Sequence, residues 1–265
     1  MSLLQSASIP VNRGLRARVA ERALVVGTFV KSTAPQTIEL LGRSGLDFVV
    51  LDAEHAPFDI GTLDAAIGAA HALSLPALVR PPSHAGSFVN SCLDMGASGV
   101  VMPHIRSTAE ADAVADAVRY GRGKRGFSPS GRAGNYGQVD AAAYRAAADQ
   151  GTSIWCQIED ADALERIDEI AANDAADCLF IGPADLGLSL GCDGPGDLRL
   201  AEAIRAIAEA GSRHGRAVGL FVSDTGAIPA MREIGITVFV CGSDQSFLLG
   251  RAQQVAAEVS ALIYT

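Results

Sequence analysis

Residues 47–57 read DFVVLDAEHAP, an apolar run that stops abruptly and is followed by Asp52, Glu54 and His55. A strand apolar at successive positions, instead of at alternate ones, is covered on both faces, as in parallel sheets. Ionisable groups that begin where such a strand ends belong to its C-terminal exit. The same pattern recurs along the chain. Short apolar or β-branched runs occupy residues 23–29 (ALVVGTF), 47–52 (DFVVLD), 77–80 (ALVR), 99–103 (GVVMP), 153–159 (SIWCQIE), 178–183 (CLFIGP), 217–222 (AVGLFV) and 237–242 (TVFVCG). Between them lie stretches with helical periodicity, such as APQTIELLGRSG, DIGTLDAAIGAAHAL and DLRLAEAIRAIAEAGSRHG, several opening on Ser, Thr or Asp and closing near Gly. Eight short strands alternating with helices predict an α/β fold, a parallel (β/α)8 TIM barrel formed by one domain over residues 1–265. A doubly wound open sheet is the alternative arrangement of the same units.

The gross numbers agree with a large packed core. Of the 265 residues 49% are hydrophobic and only 5% aromatic, with Ala, Val, Leu and Ile carrying the apolar content. The formal net charge of -9 comes without a run of Lys or Arg, which argues against nucleic acid as a partner. An acidic substrate would therefore need a local positive feature inside the cleft. Five cysteines (Cys92, Cys156, Cys178, Cys192, Cys241) stand at wide, irregular spacing, which suits reduced thiols and a cytoplasmic location. The N-terminal MSLLQSASIPVNRGLRARVA has no apolar core of signal-peptide length, and no stretch is long enough for a membrane span.

Residues 104–152 break the period. A helix-like stretch is followed by YGRGKRGFSPSGRAGNYGQ and then by a second helix-like stretch. A long irregular loop in a compact domain is often functional, so this one is expected to overhang the strand-to-helix end as a flexible basic lip. GRGKRG itself lacks the preceding strand and the G-K-[ST] ending of a phosphate loop.

In such barrels the reactive groups sit at the C-terminal ends of strands. That rule selects Asp52, Glu54 and His55 after the second strand, Arg80 after the third, Gln157 and Glu159 at the fifth, and Asp185 after the sixth. Each alone has a bland reading as a cap, a surface ion pair or a satisfied polar residue; together they converge on one mouth. Glu159 and Asp185 end adjacent strands, and two carboxylates without a thiol or imidazole suit a hard divalent ion, Mg²⁺ or Mn²⁺, with Co²⁺ as a further option. Arg80 supplies the positive feature, since a guanidinium can hold the charge that develops on an enolate oxygen. Asp52 beside His55 resembles a carboxylate orienting an imidazole, which makes His55 a general base. Glu54 carries no chemical task in this reading. His104, just past VVMP, is a further candidate without a role.

The elements GTF, LDAEHAPFD, LVRP, LDMGASGVVMPHI, RYGRGKRG, QIED and FIGPADLGLSLG occur in this order. The chain thereby resembles the class II, metal-dependent pyruvate aldolases of the 4-hydroxy-2-oxoheptanedioate and 2-keto-3-deoxyglucarate aldolase family, from about Gly27 to Gly242. The resemblance implies a metal held by Glu159 and Asp185 and chelated by pyruvate. It implies that Arg80 contacts the keto or enolate oxygen, that Gln157 supports the site, and that backbone amides around Ala184 and Asp185 take the pyruvate carboxylate, with Gly182 and Pro183 of the same GPAD segment also lining the substrate site. His55, oriented by Asp52, would handle protons. The partners would be a 2-oxo acid and an aldehyde, and the assembly a hexamer, a trimer of dimers, with the last helix (SFLLGRAQQVAAEVSALI) exchanged between subunits.

Two departures stand out. Ala53 replaces the Gly that many relatives carry before EHAP, and Phe221 stands near the seventh-strand exit where relatives often carry an aliphatic residue. Two other functions compete: a lyase of the citrate lyase β-subunit or malyl-coenzyme A type, in which the histidine of the D-x-E motif is usually missing, and a catalytically silent barrel acting as a scaffold.

Overall fold

The computed structural model describes residues 13–263; the expectation about an export signal falls largely on residues outside that range. All eight expected strands form: β1 (Val25–Val30), β2 (Phe48–Asp52), β3 (Ala77–Arg80), β4 (Gly99–Met102), β5 (Ser153–Ile158), β6 (Cys178–Ile181), β7 (Ala217–Val222) and β8 (Val238–Ser243). Each pairs in parallel with the next, and β8 closes on β1. The arrangement is a closed (β/α)8 barrel and not an open sheet.

Helix α1 (Arg13–Ala20) precedes the barrel. Helices α2 (Pro35–Leu41), α3 (Ile60–Ala72), α4 (Gly86–Met95) and α5 (Thr108–Val118) follow β1 to β4. Then come α6 (Ala141–Gly151) before β5, α7 (Ile167–Ala172) after it, α8 (Pro183–Ser189) and α9 (Leu198–Arg213) after β6, α10 (Ile228–Glu233) after β7, and α11 (Asp244–Ile263) after β8. Local chemistry sets their ends. Asp59 and Thr62 form a capping box at α3, and Ser107, Asp140 and Asp197 accept backbone N–H bonds at the starts of α5, α6 and α9.

Strand alternation divides the interior into two cores. Phe48, Val50, Leu78, Val101, Trp155 and Phe180 point into the lumen, while Val49, Leu51, Val79, Val100, Ile154 and Cys156 face the surrounding helices. Phe48 and Trp155 meet edge to face at 5.1 Å between ring centroids. Gly27 makes room for them: a Cβ there would lie 2.5 Å from the Phe48 ring. Leu15 and Val19 of α1 join the lumen cluster and close the N-terminal end of the barrel. Asp177, just before β6, ties that end together, accepting from Arg16 Nε (2.9 Å), Arg119 Nη2 (3.0 Å) and the Ile154 N–H (2.8 Å).

The long segment between α5 and α6 does not overhang the mouth. Helix α5 has already carried the chain back to the N-terminal end, so the segment is a helix-to-strand connection on the opposite side from the strand exits. Arg119 is fixed to the carbonyls of Asp149 and Thr152, and Arg132 reaches Asp64 and the Met95 carbonyl at the foot of α4. Its basic residues are neutralised locally, Arg122 by Asp112 and Asp174, Lys124 by Asp116, and Arg125 by Asp94. The expected basic lip is therefore a pinned basal loop.

Helix α11 is different from the other helices. Leu248, Leu249, Val255, Val259 and Leu262 along it are all exposed. Among the described residues no helix is long and apolar enough to cross a membrane.

Candidate active site

The strand exits deliver the selected side chains to one mouth. Asp52, the last residue of β2, is fully buried and pairs across the sheet with Arg80, the last residue of β3. Arg80 Nε donates to Asp52 Oδ1 at 3.0 Å, and Nη2 lies 2.8 Å from Oδ2. Lys31 Nζ, beyond β1, is 3.4 Å from the same oxygen. Burial pushes the Asp52 pKa up, but the Arg80 hydrogen bond and charge, the His55 N–H and Lys31 together hold it below its ordinary value. Arg80 is itself 6% exposed, lies over the Phe29 ring at 4.5 Å and has Glu54 3.3 Å from its Nε. Two carboxylates thus fix the guanidinium, and among the described residues no hydrogen bond engages its Nη1.

Asp52 does not orient the His55 imidazole. It accepts the His55 backbone N–H (3.1 Å), because the chain turns sharply after β2 and that amide, not the ring, folds back on it. The carboxylate beside the imidazole is Glu54, with 3.7 Å between its Oε2 and His55 Nε2. Glu54 also lies 3.9 Å from His104 Nε2, so the residue left without a task on sequence grounds sits between Arg80 and two imidazoles. His55 remains on the wall of the cavity with Arg80.

Glu159 follows β5 and is 2% exposed. Its Oε1 accepts the His104 backbone N–H at 2.8 Å, its Oε2 the Gln157 side-chain amide. That N–H points inward because His104 adopts the left-handed conformation, φ 53°, uncommon for a non-glycine residue. Burial raises the Glu159 pKa, and these bonds offset it only in part. The imidazole of His104 stands with Nδ1 3.0 Å from Asp160 Oδ2 and 3.4 Å from Glu159 Oε1. Partial burial disfavours its charged form, but the Asp160 hydrogen bond and the surrounding carboxylates raise its pKa.

A divalent cation fits these residues on three observations. Glu159 is a buried carboxylate with no Lys or Arg partner among the described residues. The neighbouring Gln157 Oε1 is buried and, among the described residues, without a hydrogen-bond partner. Gly182, opposite on β6's exit, leaves open the space beside Glu159 that a Cβ, 2.8 Å from Oε2, would fill. Asp185, in the first turn of α8, lines the adjoining cavity. Among the described residues no group of three or more His, Cys, Asp and Glu could hold a metal ion; two carboxylates would leave further positions to water and substrate.

The cavity has a volume of about 230 Å³. It brings together in its lining the expected site residues Arg80, His55, Gln157, Gly182, Pro183, Ala184, Asp185 and Phe221, and adds Phe29, Lys31, Phe180, Gly242 and Ser243. Phe29, Phe180 and Gly242 carry no polar side chain and give no signal at a strand exit, whereas Lys31 directly after β1 and Ser243 at the end of β8 obey the strand-exit rule. A parity rule would have found Phe29 and Phe180, since lumen-facing residues in the last turn of a strand become the floor of the mouth.

A profile of the family described as HpcH/HpaI aldolase/citrate lyase matches residues 25–249. The chain belongs to that family. Among curated proteins the chain is similar to a 5-keto-4-deoxy-D-glucarate aldolase of Shigella boydii, 31% identical over 252 residues, 94% of this chain and 97% of the relative. A hydroxypyruvate/pyruvate aldolase of Paraburkholderia phytofirmans is 33% identical over 256 residues, 92% and 96% of the two chains. A solved HpcH/HpaI aldolase/citrate lyase family protein from Burkholderia cenocepacia superposes with a TM-score of 0.87 at 29% identity, covering 94% of this chain and 99% of its own. Family membership and these relatives identify an enzyme of the carbon–carbon lyase type.

Proposed function

We propose that the protein reversibly cleaves a 4-hydroxy-2-oxo acid to pyruvate, or a related 2-oxo acid, and an aldehyde. The observation that carries this reading is the convergence in one small cavity of a fixed guanidinium, an imidazole and an oxygen-only donor set beside a buried carboxylate. The named activities of the two aldolase relatives support it. A volume of about 230 Å³ is below the roughly 300–1,000 Å³ of pockets for drug-sized ligands, which favours a free 2-oxo acid over a bulky thioester.

Glu159 and Asp185 would hold a divalent cation, Mg²⁺ or Mn²⁺, whose charge would polarise the substrate's carbonyl. Arg80, locked by Asp52 and Glu54, directs its free N–H edge at the 2-oxo oxygen and stabilises the enolate charge. Amides of Ala184 and Asp185 take the carboxylate. His55, beside Glu54, accepts the 4-hydroxyl proton as the C3–C4 bond breaks; the electron pair of that bond becomes the enolate double bond, and C3 is then protonated. Aldehyde and 2-oxo acid leave, and the reverse sequence condenses them.

The test is pyruvate release from a panel of 4-hydroxy-2-oxo acids, with and without chelator. Arg80→Ala is expected to lower kcat by about 10²–10³. An intact rate in that variant, or turnover indifferent to chelator, overturns the mechanism. Borohydride trapping of a pyruvate–lysine adduct would instead indicate Schiff-base chemistry.

A further inference from the structure

The chain leaves β4 through Pro103 and His104 and returns to the neighbouring strand at Ile105, whose N–H donates to the Gln157 carbonyl at 3.1 Å. The peptide group between Pro103 and His104 is gripped from both sides. Its N–H donates to Glu159 Oε1 at 2.8 Å, and its carbonyl oxygen accepts from His84 Nε2 at 2.6 Å. A carbonyl oxygen can only accept, so Nε2 is the ring nitrogen that carries the proton. His84 lies on the loop between β3 and α4, outside the residues that line the cavity.

The local sequence does not favour this orientation. His104 has φ 53°, a left-handed conformation that a Cβ disfavours and that glycine occupies freely. Turning the peptide group over would return His104 to ordinary negative φ. It would also take the N–H away from Glu159 and the carbonyl away from His84. The inward arrangement therefore persists while both ends are held. At one end stands a buried carboxylate with no Lys or Arg partner among the described residues, and at the other an exposed imidazole. Hydrogen bonds in line through one peptide polarise each other, so a donor on the carbonyl strengthens the N–H that holds Glu159. That N–H occupies one lone pair of Oε1 and leaves the other open to a cation.

We infer that His84 is a positioning residue for the cation site: through the Pro103–His104 peptide it fixes the Glu159 carboxylate and so sets the affinity for a divalent cation. The role rests on the reading of Glu159 as a cation ligand, and it belongs to a residue that touches neither cation nor substrate. Groups standing behind metal ligands commonly act in this way, by holding the ligand in the orientation the metal needs.

The experiment measures the dissociation constant for Mn²⁺, by titration calorimetry and by the paramagnetic resonance signal of free Mn²⁺, in wild type, His84→Ala, His84→Gln and Glu159→Gln. His84→Ala is expected to weaken Mn²⁺ binding by about 10-fold, the lower end for a group behind a metal ligand. A glutamine amide reaches nearly as far as Nε2 and renews the donor, so His84→Gln is expected to bind within about 3-fold of wild type. In a His104→Gly background the left-handed φ carries no strain, and there His84→Ala is expected to weaken binding by less than it does alone. A constant in His84→Ala within about twofold of wild type, equal weakening by Ala and Gln, or an equal cost in both backgrounds overturns the inference and leaves the cation reading intact. A wild type that does not bind Mn²⁺, or Glu159→Gln that binds it as tightly as wild type, defeats the cation reading and the role of His84 with it.

Discussion

A buried carboxylate must be compensated by cations or hydrogen bonds, and the two at this barrel's mouth are treated differently. Asp52 has Arg80 and Lys31, and its pKa falls; Glu159 has the His104 N–H and the Gln157 amide on its two oxygens and the His104 imidazole at 3.4 Å, but no Lys or Arg among the described residues, and its pKa rises. For Glu159 the sign is that of an acid disfavoured by the fold. At neutral pH the ionised group costs stability in the cation-free protein, and this cost disappears as pH falls through the raised folded-state pKa. Glu159→Gln is therefore expected to raise the melting temperature of the cation-free protein, by roughly 2–4 °C for each kcal/mol recovered. The same substitution should abolish the stabilisation that added Mn²⁺ gives the wild type. A lower melting temperature with the Mn²⁺ effect intact would remove Glu159 from the cation site. The residues themselves were legible at this scale, because a charged group directly after an apolar strand is rare. Their pairing was not: Asp52 and His55 are three apart in sequence, yet it is the backbone of His55 that meets the carboxylate.

At the scale of elements, the strands were readable because burial on both faces makes them apolar throughout, and the observed bounds differ from the expected ones by no more than two residues at either end. The basal loop lies at the opposite end from the expected lip, although its position is encoded in the sequence. It follows a helix-like stretch, and a connection that follows the return helix must lie at the N-terminal end of a (β/α)8 barrel, away from the chemistry. Lys124, on that loop, pairs with Asp116 of α5 at the surface. Lys124→Met is accordingly expected to leave kcat/KM within about twofold of wild type and stability within about 0.5 kcal/mol. A large loss of activity would restore the loop to the active site.

For the whole molecule, the open question is what covers α11. Its exposed Leu248, Leu249, Val255, Val259 and Leu262 are the kind of apolar patch that marks an interface. The family resemblance implies a hexamer with this helix exchanged between subunits. The combined variant Leu249→Asp and Val259→Asp is expected to have a smaller mass in analytical ultracentrifugation than the wild type, with the barrel still folded by circular dichroism. A wild type that sediments as a monomer would defeat the exchange. The sequence by itself determined the barrel, its eight strands and the set of polar residues at their exits, because alternating burial and strand ends are local patterns written in consecutive residues. Only the tertiary structure decided which carboxylate faces which cation, that Glu54 and not Asp52 flanks the imidazole, and that Phe29 and Phe221 share a wall. Those relations depend on side-chain directions and on closure of β1 against β8, which bring together residues nearly two hundred positions apart in the chain.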